Sequence, residues 1–272
     1  GLWKNKNLWK LYQQAKTPYD WHYDAFKIAK EKNIELFSTP FSVKSLNFLK
    51  KFNPNVYKIA SFELTDLNLI NEVAKLKKPI ILSTGLANIH EINNAIRIIK
   101  RWHSKIILLY CVSSYPASLE EIDFDKIEYL KKRTKINNIG FSDHTKGISA
   151  ATASISKGAR IVEKHFKLNG TNNSPDQIFS INENELKTLR VEFNNLGKIY
   201  SKTKNYEKKN SLLFRRSIYA INDIKKGDIF TKKNIACFRP FVGLCASNYF
   251  RLIGKKSKRN ISTYSVLKKN YV

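Results

Sequence analysis

No methionine occurs anywhere in the 272 residues, not even at position 1, so the natural start is expected to lie upstream of Gly1. Cysteine is held to three positions, Cys111, Cys237 and Cys245, with no paired C-x-x-C spacing. That argues against a disulfide framework and a cysteine zinc site, and fits a reducing compartment, with the cytoplasm as the expected location. Long apolar runs are missing too. Ile106 to Val112 spans about a third of the ~20 residues a membrane crossing needs, and Gly1 to Lys10 lacks the apolar stretch of a signal peptide. A soluble protein with no membrane partner is the expectation. Acidic residues are scarce, 22 against 49 Lys and Arg, leaving a formal charge of +27. Such a surplus attracts polyanions, whether nucleic acid, anionic lipid or a phosphorylated metabolite. Its spread along the whole chain equally suits a solvated surface, and no nucleic-acid partner is expected.

What is present suffices for a packed core: 42% of residues are hydrophobic and 12% aromatic, which excludes wholesale disorder. The length suits one large α/β domain and a small companion. Short β-rich runs recur at Ile34 to Ser38, Val56 to Ala60, Ile80 to Ser83, Ile106 to Cys111, Ile139 to Ser142 and Ile161 to His165. Between them apolar residues follow helical spacing, as in Leu67, Ile70, Val73, Ala74 and in Ile92, Ala95, Ile96, Ile99. Repeated βα units predict a parallel sheet with helices outside, and the TIM (β/α)8 barrel is the architecture that brings such strand ends to one face. Six strands are countable where about eight are needed, so the first two are expected to precede Gly1. The barrel domain is placed at 1–201, a charged, apolar-poor linker at 202–210, and a small β-rich module at 211–272.

Each predicted strand ends in polar residues: Ser38-Thr39-Pro40, Lys58 with Ser61 to Glu63, Ser83-Thr84-Gly85, Ser113-Ser114-Tyr115, Ser142-Asp143-His144 and Glu163-Lys164-His165. In a parallel barrel these form a ring of candidate ligands; capping and turn chemistry is the other reading. His144 and His165 fall at consecutive strand ends, 21 residues apart, where two neutral imidazoles suit a divalent metal of the Mn, Co or Zn type. Asp143 and Glu163 flank them as possible orienting carboxylates, and hydrogen-bonded rim histidines are the alternative. His22, His90 and His103 fall on predicted helices and read as solvated. Thr39, Lys58, Ser61, Ser83, Thr84 and Ser142 offer one ammonium and several hydroxyl or backbone donors, as a phosphate monoester requires where no Gly-rich P-loop exists. Glu63 and Asp176 are the carboxylates placed near a sugar or a metal-bound water, with salt-bridge or turn roles as the alternative. Arg215 and Arg216 open the small module, either as surface charge or as a guanidinium for an acyl carbonyl or carboxylate.

Six ordered motifs, FSTPF (Phe37 to Phe41), YKIAS (Tyr57 to Ser61), LSTG (Leu82 to Gly85), CVSSYP (Cys111 to Pro116), FSDHT (Phe141 to Thr145) and EKHF (Glu163 to Phe166), resemble those of the nonulosonate (sialic-acid) synthases. The resemblance covers nearly the whole chain, and 211–272 resembles the antifreeze-like, or SAF, domain at that family's C-terminus. LYQQAKTPYDWH (Leu11 to His22), CVSSYP and SPDQIFS (Ser174 to Ser180) look most like the pseudaminic acid synthases. The resemblance implies condensation of phosphoenolpyruvate with 2,4-diacetamido-2,4,6-trideoxy-altrose, giving a nine-carbon 2-keto acid and phosphate. N-acetylneuraminate or legionaminate synthesis, or an incomplete fragment acting as a basic binding module, are the alternatives. By resemblance His144 and His165 hold a divalent metal (Mn, Mg or Co). Thr39, Lys58, Ser61, Ser83, Ser113 and Ser142 match phosphoenolpyruvate-binding positions, and Glu63, Tyr115 and Asp176 lie near the reacting groups. A homodimer follows, in which Arg215 or Arg216 of one subunit reaches the sugar in its partner. Two features depart from the pattern: Ser113 stands where sialate synthases typically carry Asn, and the family's N-terminal EIGxNHxG and KFQT regions have no counterpart after Gly1.

Overall fold

A computed structural model of the chain describes residues 7–170, 174–200 and 209–271. The chain divides into two compact units, residues 1–201 and 202–272. In the first, helices α1 (Leu8–Ala15), α2 (Trp21–Glu31) and α3 (Val43–Leu49) precede an alternating series. The series runs β1 (Tyr57–Ile59), α4 (Leu67–Ala74), β2 (Ile80–Ser83), α5 (Ile89–Lys100), β3 (Ile106–Cys111), α6 (Asp125–Thr134), β4 (Ile139–Asp143), α7 (Ser149–Ser156), β5 (Val162–Lys164) and α8 (Glu183–Tyr200). The strands form one parallel sheet in the order β1-β2-β3-β4-β5.

The sequence explains both halves of this repeat. Strands β2 and β3 are near-continuous runs of Ile and Leu because both faces of a helix-covered parallel sheet are buried. Helix α5 is stopped at its start by a capping box, in which Asn88 accepts from the Glu91 backbone N–H and Glu91 accepts from that of Asn88. Its buried side chains, Ile92, Ala95, Ile96 and Ile99, follow one face. Each large aliphatic withdrawn this way contributes about 1.5–3 kcal/mol. Gly140 in β4 has no side chain because a Cβ there would lie 2.6 Å from both the Ile161 carbonyl oxygen and Leu109 Cδ2. Only glycine lets β4 and the entry to β5 approach this closely.

A cross-sheet contact shows how the sheet bends. In a flat sheet, β1 and β5 would stand roughly 19 Å apart, four spacings of about 4.8 Å. Instead Lys58 Nζ of β1 lies 3.3 Å from Glu163 Oε2 of β5. The sheet therefore curls until its first and fifth strands face one another. Beyond β5 an isolated parallel bridge joins Phe166 to Ile181.

Three expectations are corrected. Ile34 to Ser38 is not a strand: it follows α2 as coil, and among the described residues its backbone finds no ladder partner. Its neighbourhood is tied to the entry of β1 by Asn55 Nδ2 donating to Glu35 Oε2 at 2.8 Å. The (β/α)8 expectation thus stands at five observed strands of a curled parallel sheet. His22, expected to be solvated, is buried: its ring nitrogens meet Pro18 O and Ser38 Oγ, and it packs edge-on against Phe48. His103 likewise lies beyond the end of α5, half-buried rather than on a helix.

The second unit begins with the one-turn helix α9 (Lys209–Leu212), so the last two residues of the expected linker are helical, while 202–208 lie outside the described residues. Strands β6 (Ser217–Ala220) and β7 (Ile235–Phe238) pair antiparallel, and α10 (Tyr249–Leu252) follows. Ile218, Ala220, Ile224, Phe230, Ile235, Leu252, Ile261 and Leu267 form its own core. Among the described residues no helix is long and apolar enough to cross a membrane.

Candidate active site

Parallel strands deliver their C-terminal ends to one side, and the polar residues predicted there converge. Glu163 lies between the two edges of the curled sheet. Its Oε1 accepts from Ser142 Oγ at 2.6 Å while its Oε2 faces Lys58 Nζ. Lys58 is 6% exposed, so its ammonium is withdrawn from water and held by this carboxylate. One layer over, Ser61 Oγ meets Cys111 Sγ at 3.1 Å, and the Gly85 N–H donates to the same sulfur at 3.2 Å. Burial pushes the Cys111 thiol up, so it stays protonated. Gly85 has a positive φ of 25°, and a Cβ on it would lie 2.5 Å from Ser61 Oγ and 2.6 Å from Ser113 Oγ. The gap left by this glycine is what lets the two hydroxyls approach.

Buried polar atoms in folded proteins are normally hydrogen-bonded. Several at this end of the sheet are not: Glu63 Oε2, Ser83 Oγ and Ser113 Oγ are buried without a partner among the described residues. Burial raises the Glu63 carboxyl above its ordinary range, although Lys58 pulls the other way. A buried ammonium, several hydroxyls and unmatched polar atoms at one end of a sheet are the arrangement a small polar ligand completes.

At the same end of the sheet, the rings of His144 and His165 are centred 5.4 Å apart. His144 Nδ1–H donates to the Val112 carbonyl at 2.8 Å, and His165 Nδ1 lies 3.3 Å from Asp176 Oδ2. With Nδ1 as donor, each ring keeps Nε2 as the unprotonated nitrogen. Burial lowers both imidazole pKa values, and for His165 Asp176 partly offsets it. Tyr115 packs on His144 at 4.3 Å, and Phe179 packs against His165 at 4.8 Å. The Tyr115 hydroxyl, pushed up to about 12 chiefly by burial, remains a donor at any physiological pH.

Lys58, Ser61, Glu63, Ser83, Ser113, Tyr115, Ser142, His144, His165 and Asp176 all lie at the C-terminal end of this sheet or in the loops that follow it. Thr39 is half-buried in the coil before α3 and makes no hydrogen bond among the described residues. Arg215 and Arg216 belong to the second unit, where the Arg215 guanidinium stacks on Phe241 and lies 3.7 Å from Cys245 Sγ. The expected orienting roles of Asp143 and Glu163 are corrected. Asp143 pairs with Lys164, and Glu163 spans Lys58 and Ser142, so Val112 and Asp176 orient the imidazoles instead. Cys111 and Phe179 fall within the CVSSYP and SPDQIFS motifs but carry no role in the sequence reading; both are buried, Phe179 fully.

Two adjacent imidazoles, both kept neutral by burial, fit a metal that accepts nitrogen ligands. No group of three or more His, Cys, Asp or Glu residues able to hold a metal exists among the described residues. The protein thus offers two nitrogen ligands.

The NeuB family pattern matches residues 1–205 and the SAF domain pattern matches 215–270. The chain belongs to the NeuB family. It is 39% identical to the pseudaminic acid synthase of Campylobacter jejuni strain 81-176, over 99% of this chain and 80% of that protein. It is 35% identical to the N,N'-diacetyllegionaminic acid synthase of Campylobacter jejuni, over 92% of this chain and 77% of that one. The crystal structure of N-acetylneuraminic acid synthetase from Leptospira borgpetersenii, in complex with citrate, superposes with a TM-score of 0.70 at 33% identity, covering 76% of this chain and 73% of that one. Membership of NeuB makes the chain a synthase of the nonulosonic-acid type, an enzyme that forms a carbon–carbon bond.

Proposed function

We propose that the protein condenses phosphoenolpyruvate with 2,4-diacetamido-2,4,6-trideoxy-altrose and water to give pseudaminic acid and inorganic phosphate. The observation that carries this reading is the gathering of Lys58, the Ser61 and Ser142 hydroxyls and the unmatched Glu63, Ser83 and Ser113 oxygens at the C-terminal end of one parallel sheet. The similarity to pseudaminic acid synthases supports the choice of sugar.

In this reading Lys58 and the serine hydroxyls hold the phosphate and carboxylate of phosphoenolpyruvate by charge-assisted hydrogen bonds, with Thr39 joining from the coil before α3. The bound geometry presents C3 of the enolpyruvate to the sugar aldehyde, so the new bond forms between held reactants. His144 and His165 would hold a divalent ion (Mn, Mg or Co), which when bound supplies Lewis-acid polarisation of the aldehyde oxygen. Tyr115, protonated throughout, donates a hydrogen bond to the sugar, and Asp176 keeps His165 in its Nε2-free tautomer. Glu63 Oε2 takes a proton from the water that adds at C2, and cleavage of the C–O bond then releases phosphate. In a homodimer the small unit of one protomer would bring Arg215 or Arg216 to the sugar bound by its partner. The cytoplasm, where phosphoenolpyruvate is made, is the proposed location. The same cradle would serve legionaminate or N-acetylneuraminate synthesis, which differ in the sugar.

The test is phosphate release together with mass spectrometry of the product from phosphoenolpyruvate and a panel of acetamido sugars. Turnover that prefers the 2,4-diacetamido-altrose is expected. A preference for N-acetylmannosamine would overturn the sugar assignment, and phosphate release with no sugar panel member would overturn the reaction.

A further inference from the structure

We infer that the buried Asp143–Lys164 pair is a clasp that sets the spacing of His144 and His165. The two residues are direct partners in the β4–β5 register, and each immediately precedes one of the histidines. Side chains alternate across a strand, so the clasp sits on the face opposite the imidazoles and acts through the backbone. Lys164 Nζ lies 2.9 Å from Asp143 Oδ2 and also donates to the Thr145 carbonyl. Asp143 Oδ1 accepts from the Thr145 N–H at 2.8 Å. The residues on both sides of His144 are thereby tied to the one residue that precedes His165.

Stability does not account for such a pair. Its side chains are 0% and 3% exposed, and burying two charges costs more desolvation than their attraction reliably returns; apolar replacements of similar volume are often neutral or stabilising. What the pair provides, and an apolar contact does not, is a directional linkage with each carboxylate oxygen assigned to one donor. The two strands also differ in how firmly they are otherwise held. Strand β4 is buried throughout, whereas β5 is three residues long and half-buried, so the end of β5 most needs a fixed anchor.

The inference deepens the proposed function, on which its metal-binding part rests. The experiment compares the wild-type protein with the Asp143→Asn/Lys164→Met double variant, which leaves no buried charge unpaired and keeps the acceptor for Thr145 N–H. Three measurements are made: thermal melting, side-chain 1H–15N spectra of the histidine rings, and Mn2+ affinity by calorimetry. The expected result is an unchanged melting temperature, shifted or broadened signals for the His144 and His165 rings alone, and at least tenfold weaker Mn2+ binding. Ring signals that match the wild type overturn the clasp, whether or not Mn2+ binds. Should the wild type bind no Mn2+, the proposed metal site falls, while the ring spectra still decide the clasp. If the double variant does not fold, Lys164→Arg, which retains the charge, is expected to restore both ring signals and Mn2+ affinity to within about threefold of wild type; failure to do so with the fold intact overturns the clasp.

Discussion

The two units treat buried polar groups in opposite ways. In the second unit Ser217 and Ser257 are buried and both are matched: Ser217 Oγ accepts from the N–H groups of Val242 and Gly243, and Ser257 Oγ donates to the Arg259 carbonyl. In the first unit a cationic lysine, His144 and several hydroxyls are buried at the sheet's C-terminal end beside the half-buried His165, and Glu63, Ser83 and Ser113 keep unmatched atoms there. Charge is divided just as unevenly. Residues 202–272 carry 18 Lys and Arg against three Asp and Glu, whereas residues 1–201 carry 31 against 19. In the second unit Asp223 and Asp228 accept from backbone N–H groups of turns rather than from a cation. The lesson is that raw charge does not mark the chemistry. Among the described residues the buried polar side chains of the more basic unit are matched, and the less basic one leaves Glu63, Ser83 and Ser113 unmatched where a ligand would complete them.

Breaking the first unit's side of this contrast gives the largest effect. Lys58→Met removes the cradle's ammonium and strands Glu163, and kcat/KM for phosphoenolpyruvate should fall about 10³-fold, or ~4 kcal/mol, in a phosphate-release assay. Activity within tenfold of wild type would remove Lys58 from the cradle. Next comes Gly85→Ala, which drives a methyl into Ser61 and Ser113. It should cost about 1–3 kcal/mol of stability in a denaturant melt and weaken phosphoenolpyruvate binding as well. Loss of stability with unchanged binding would show that the gap serves packing alone. In the second unit Ser217→Ala removes the shared acceptor of the Val242 and Gly243 N–H groups and should cost about 1–3 kcal/mol, read by melting. Its phosphoenolpyruvate affinity, measured by calorimetry, should stay at the wild-type value, because that hydroxyl is structural.

The smallest effect concerns pH. Burial raises the folded-state pKa of Glu63 above its ordinary 4.5, so between those values the folded protein binds more protons than the unfolded chain. The stability Glu63 contributes is therefore present below the ordinary value and lost as pH rises through the raised one. Glu63→Gln should gain melting temperature relative to wild type as pH rises from 4.5 towards 7. A difference that is flat with pH would contradict the burial of this carboxyl.

The parts of the fold legible in the sequence were those decided by local pattern. Ile80 to Ser83 and Ile106 to Cys111 are strands as read, since only a two-faced buried strand calls for such unbroken aliphatic runs. Ile34 to Ser38, an apolar run broken by Glu35, is coil, because a strand is defined by its partner and composition does not supply one. The ring of polar strand ends was legible because parallel βα units bring those ends together whatever their exact geometry. Which carboxylate meets which base was not. Glu163 adjoins His165 in sequence, yet it reaches across the curled sheet to Lys58, and Asp176, eleven residues on, takes its place at His165. His22 was misread for a similar reason: Phe48 and Phe52, which bury it, come from α3 and the turn that follows.

The most direct test is a crystal structure of the protein with phosphoenolpyruvate bound. The account predicts the phosphate within hydrogen-bonding distance of Lys58 Nζ and Ser142 Oγ, with Glu163 drawn away from one or both. Phosphoenolpyruvate bound elsewhere, with the Lys58–Glu163–Ser142 contacts intact, would contradict it.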